Sequence, residues 1–131
     1  MTSQAAFGPP FFPAAFLLLA TLAAGCATER AYEGPALAKS ERAIVRADPV
    51  VSAGLPVQIR IRRADGRDVG LTASKVELPA GKHSLVVDCR VAETGAVRRF
   101  TLEEELEAGG HYRLVANATA RNCEAVALIG D

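Results

Sequence analysis

The run Leu55-Pro56-Val57-Gln58-Ile59-Arg60-Ile61-Arg62 alternates strictly from Val57 onward. Val57, Ile59 and Ile61 point one way, and Gln58, Arg60 and Arg62 point the other. A period of two marks a strand with one buried face and one wet face.

Working outward, the same grammar repeats. Asp65-Gly66, just downstream, is a tight-turn signal. Upstream, Ala43-Ile44-Val45 is a short strand stopped by Asp48-Pro49. Downstream, Val69 to Leu78 reads as a weaker strand with an irregular middle. After the turn Pro79-Ala80-Gly81-Lys82, residues 83–91 place Leu85, Val87, Cys89 and Val91 on one face. Thr94-Gly95 turns the chain into 97–106, where Phe100, Leu102 and Leu106 align. Glu103-Glu104-Glu105 leaves a helical turn open at the end of that segment. Ala108-Gly109-Gly110 turns again, Tyr112, Leu114 and Ala116 share the next face, and 123–129 closes the domain. About seven short strands joined by tight turns predict an all-β fold, a small antiparallel β-sandwich over residues 41–131.

Residues 1–25 read differently. Phe16 to Ala24 is apolar but far short of the roughly 20 residues a membrane span needs. It has the length of the apolar part of a secretory signal. Leu22-Ala23-Ala24-Gly25-Cys26 then ends in a cysteine after small residues. This resembles a bacterial lipoprotein signal peptide, cut before Cys26 so that the thiol carries lipid (palmitate among the chains). Two features depart from the usual pattern. No Lys or Arg precedes the apolar run, and Ala23 stands where Leu is commoner. Each buried methylene contributes about 0.8 kcal/mol, so two or three acyl chains would hold the protein permanently. Ala27 follows the cysteine where an Asp would imply retention in the inner membrane. The resemblance therefore implies the outer membrane, with the domain facing the periplasm. Residues 26–40 mix small, charged, Pro and Gly residues without periodicity and read as the lipidated cysteine and a flexible tether.

Composition narrows the function. The chain carries 15 basic and 15 acidic residues, a net charge of zero. That offers no electrostatic case for nucleic acid, which needs concentrated Lys and Arg. There is no Trp, and beyond Cys26 the aromatics are Tyr32, Phe100 and Tyr112. The core must be built from Val, Leu, Ile and Ala, with little aromatic surface to stack on sugars or bases.

Candidate chemistry is sparse. Cys89 and Cys123 in an oxidising periplasm are read as a disulfide, with two buried thiols or a metal pair as alternatives. His83 and His111, the two histidines, lack the H-x-H or C-x-x-C spacing that would support a zinc site with Cys89. No serine lies in a nucleophile motif, the Glu103–Glu105 run reads as a solvated edge, and there is no phosphate-binding Gly loop. No catalytic residue, cofactor or metal is expected. Arg60, Arg62 and Arg63 form the strongest basic cluster, with Arg67 nearby. They are the candidate ligand-binding residues, set against a plainer reading in which the glutamates neutralise them.

Leu78-Pro-Ala-Gly-Lys-His83-Ser-Leu85-Val86 is echoed by Leu106-Glu-Ala-Gly-Gly-His111-Tyr-Arg-Leu114-Val115. Both read as similar hairpin entries, each a Gly-containing turn leading into a strand, with an ancestral duplication or a paired His site as the alternatives. LPAGKHSLVV, FTLEEELEAGGHYRLVA and the YEGP after the cysteine resemble small uncharacterised Gram-negative lipoproteins, and the first half is similar to PEGA-type β domains. The resemblance covers residues 26–35 and 55–116. It implies a compact envelope β-sandwich with a structural or interaction role and supplies no catalytic residues. The expectation is a non-enzymatic, lipid-anchored scaffold or protein-interaction module. Membrane is engaged through Cys26, and an envelope protein or peptidoglycan is the partner. The alternative is a cell-wall or small-ligand binding domain using the arginine face.

Overall fold

The computed structural model describes residues 27–131, so the leader 1–25 and Cys26 lie outside the described residues. Ten strands form two packed sheets: β1 (Ala27–Arg30), β2 (Arg42–Arg46), β3 (Val50–Ser52), β4 (Leu55–Ala64), β5 (Arg67–Asp68), β6 (Ala73–Pro79), β7 (Gly81–Val91), β8 (Val97–Leu106), β9 (His111–Ala118) and β10 (Cys123–Gly130). The first sheet runs β1-β6-β2-β9-β10; the second runs β3-β4-β7-β8, with β5 also paired to β4. The fold is the small β-sandwich that the alternation predicts. The seven expected strands correspond to β2, β4 and β6 to β10. The additions β1, β3 and β5 are four, three and two residues long, too short to show a period. Most pairings are antiparallel; β1 with β6 and β2 with β9 are parallel.

Alternation delivers the core. In β7, His83, Leu85, Val87, Cys89 and Val91 turn inward. They meet Val57, Ile59 and Ile61 of β4, Val45 of β2, Val76 and Leu78 of β6, and Leu114 of β9. Phe100 and Tyr112 pack only at its margin, so aliphatic side chains carry the burial. Cys89 and Cys123 form a disulfide from β7 to β10 with Cα atoms 6.1 Å apart, tying one sheet to the other. Closing a loop of sequence separation 34 contributes about 3–4 kcal/mol on the chain-entropy account.

Three details differ from the sequence reading. The expected tether begins as strand β1, with Glu29 opposite Val76 and Arg30 opposite Glu77. Ala31 is buried, its N–H donates to the Glu77 carbonyl, and Tyr32 Oη accepts the Leu37 N–H at 2.9 Å. A four-residue edge strand is held by its backbone, so its side chains carry no pattern to read. The Val69–Leu78 segment is a strand only from Ala73. Glu103-Glu104-Glu105 stays extended to the end of β8, because each residue is paired across to β7.

The two echoed segments are not hairpins. The chain passes from β6 in the first sheet to β7 in the second, and returns from β8 to β9. Both are arches at the same end of the sandwich, where Gly81 pairs with Leu106. The opposite end holds the starts of β1 and β6 and the β3–β4 turn at Ala53-Gly54.

Candidate functional site

Strict alternation would separate Arg62 from Arg63, because neighbours in a strand point to opposite faces. The β4–β7 ladder is interrupted there: Ile61 pairs with Val87 and Arg63 with Val86, leaving Arg62 as the extra residue of a bulge. Bulges re-aim side chains. This one puts both arginines on the outward face, after which Ala64 returns to the core.

Register then adds residues that β4 alone does not reveal. Arg60 lies opposite Asp88 of β7, which lies opposite Arg99 of β8; Gln58 lies opposite Arg90. Asp88 sits among the guanidinium groups. Arg99 grips it with two hydrogen bonds, Nε to Oδ1 at 2.7 Å and Nη2 to Oδ2 at 3.1 Å. Arg62 Nε stands 3.7 Å from Oδ2. The hydrogen bond from Arg99 holds the Asp88 carboxyl below its usual value against the opposing effect of burial, and the charges of Arg99, Arg62 and Arg60 reinforce it. Arg63 pairs with Asp68 at 3.0 Å, Arg60 Nη2 donates to the Leu71 carbonyl at 2.8 Å, and Arg90 donates to Gln58 at 3.0 Å.

This face therefore gathers Arg60, Arg62, Arg63, Arg90 and Arg99 around Asp88 and Asp68. A cleft of about 620 Å³ opens between Arg62, Arg63, Arg99 and Leu71. A second of about 410 Å³ continues from Arg62 and Leu71 past Arg60 and Arg90 to Val97. Glu103 and Glu105 share the outward face but lie further along β8, toward the arches. Guanidinium groups keep donors free after one ion pair, so the arrangement can accept carboxylate or phosphate oxygens.

The structure brings together the three arginines singled out in the sequence. Arg67 is excluded; it pairs with Glu33 at 2.8 Å. Arg90, Arg99 and Asp88 were missed. Their outward direction is legible, since each alternates with an inward apolar neighbour, but which strands lie side by side is not.

The histidines do not converge. His83 faces the core in the second sheet, and His111 is exposed on the first. His83 Nδ1 lies 2.6 Å from Asp65 Oδ2 and Nε2 lies 2.7 Å from the Pro79 carbonyl. Both ring nitrogens are thus occupied by oxygen partners. Burial pushes the Asp65 carboxyl up. The His83 hydrogen bond, the Ser84 N–H at 2.8 Å and the His83 charge outweigh it and hold the group below its usual value. This pair, buried on the His83 side and exposed on the Asp65 side, clamps the Asp65-Gly66 turn to the first arch. It has no open coordination position. No cluster of three or more His, Cys, Asp or Glu suited to a metal occurs among the described residues.

No protein-family model, curated protein or solved structure matches the chain.

Proposed function

We propose that this protein is a non-enzymatic lipoprotein of the cell envelope, held to the outer membrane by lipid on Cys26 and acting in the periplasm as an interaction module. Its working surface is the outward face of the second sheet, and its partner is anionic. The supporting observation is the convergence of Arg60, Arg62, Arg63, Arg90 and Arg99 around two aspartates on one open face. The disulfide ties β7, the strand carrying Asp88 and Arg90, to the other sheet, which suits recognition without rearrangement. Lipoprotein sequence features and the PEGA-like β pattern support the same reading. The Cys89–Cys123 bridge suits an oxidising compartment.

The test is cross-linking in intact cells and capture through a C-terminal tag. The native chain is compared with an Arg62→Glu, Arg63→Glu variant that keeps Cys26. A dominant partner captured by the first and lost from the second supports the proposal. Equal capture by both would remove the arginine face from it. Mass spectrometry of the same material reads the lipid: an unmodified Cys26 would end the lipoprotein part.

A further inference from the structure

Arg60, Arg90 and Arg99 lie toward the end of the domain where the lipid would be, with Arg62 and Arg63 midway along the sheet. Strand β1 starts at Ala27, one residue after Cys26, and residues are spaced about 3.8 Å apart along a chain. β1 runs parallel to β6, so both start at the same end. The turn into β6 is tied there, because Gly70 N–H donates to Glu29 Oε1 at 2.9 Å. A lipid on Cys26 would thus have almost no slack. The end of the sandwich bearing residues 70–73 would sit on the membrane.

The composition of that end is distinctive. Three large apolar side chains stand exposed among the described residues: Val51 at 72%, Leu71 at 70% and Val97 at 53%. All three belong to this end. Val51 is in β3 beside Pro56, Leu71 precedes β6, and Val97 opens β8 opposite Arg90. The arginines lie just behind them, with Arg60 bonded to the Leu71 carbonyl. Glu103 and Glu105 are displaced to the far end, beside the arches. Glu29 and Glu93 also stand at this end, but the arginines outnumber them, and exposed apolar tips backed by arginines complement an anionic bilayer surface.

We propose that the domain docks on the membrane that anchors it, with anionic lipid headgroup phosphates seated in the cleft of Arg62, Arg63 and Arg99 and with Val51, Leu71 and Val97 at the headgroup boundary. This deepens the proposed function and rests on lipidation of Cys26. With several acyl chains already holding the protein, the arginines would set its orientation rather than its attachment.

The test uses the lipidated full chain in nanodiscs of phosphatidylcholine alone or with phosphatidic acid, each doped with a gadolinium-chelating lipid. Paramagnetic broadening of backbone amides is read by NMR. The expected result in anionic discs is strong broadening at residues 51, 71 and 97, with residues 80–81 and 108–110 spared. The lipid tether alone keeps part of that contrast, which weakens in neutral discs and in Arg62→Glu, Arg63→Glu. Broadening that is uniform, or unchanged by disc composition and by the variant, overturns the docking. If soluble peptidoglycan fragments shift the arginine Nε–H signals while disc composition does nothing, headgroup docking is wrong and the interaction-module reading survives. Absence of lipid on Cys26 removes that reading itself.

Discussion

The arches at 78–83 and 106–112 look alike in sequence and are held in opposite ways. In the first, the histidine turns inward and its two ring nitrogens meet Asp65 and the Pro79 carbonyl. In the second, the histidine is exposed and the neighbouring tyrosine does the work: Tyr112 Oη accepts the Glu107 N–H at 2.8 Å, pinning the turn five residues back. The glycines differ as well. Gly81 has φ +124° with open space where a Cβ would stand. At Gly110 a Cβ would meet the Tyr112 ring at 2.7 Å, so its missing side chain is what lets the ring fold over the turn. A shared motif fixes the bend, while the clamp on each bend comes from whatever lies across from it.

The largest test of this contrast removes each histidine. His83→Ala strands a carboxylate and a carbonyl and leaves a small cavity, with an expected loss of about 3 kcal/mol in urea unfolding. His111→Ala is expected to stay within about 0.5 kcal/mol, as exposed substitutions do. Equal losses would mean the arches are equivalent after all. Next comes Gly110→Ala, expected to cost about 2 kcal/mol by overpacking against Tyr112. Gly110→Ala in a Tyr112→Ala background should cost much less, so a double-mutant cycle isolates the contact. Tyr112→Phe alone removes one acceptor from the Glu107 N–H and is expected to cost about 1 kcal/mol.

The smallest effect is one of pH. Asp65 is held below its ordinary value of 3.8, so its contribution is present above that value and lost as pH falls through the lower folded value. Amide exchange in the first arch should therefore accelerate in acid before exchange in the second. Asp65→Asn should abolish the difference. Equal acceleration in both arches would show that the His83–Asp65 clamp does not set the stability of the first.

Much of the fold was legible because alternation in β4, β7 and β9 is a local property, fixed residue by residue by which side chains avoid water. The type I′ turn at Asp65-Gly66 was equally local, with φ of 51° and 79° that the Asp-Gly pair tolerates. The disulfide partners followed from there being two cysteines beyond Cys26. Strand β1 escaped notice because backbone pairing leaves no side-chain signature. The β3–β4 turn lacked the usual signal, since Ala53 adopts φ 51° where Asn or Gly is commoner.

The sequence by itself determined an all-β chain with an aliphatic core, its inward and outward residues, and a basic cluster on β4. Only the tertiary structure decided that Arg62 and Arg63 share a face, that Arg90, Arg99 and Asp88 complete it, and that His83 is a clamp while His111 is free of the core. The physical reason is one of range. Burial preference is encoded in each residue and its nearest neighbours. Register, bulges and sheet-to-sheet crossing depend on pairings between distant strands, whose hydrogen bonds are nearly the same whatever side chains they carry.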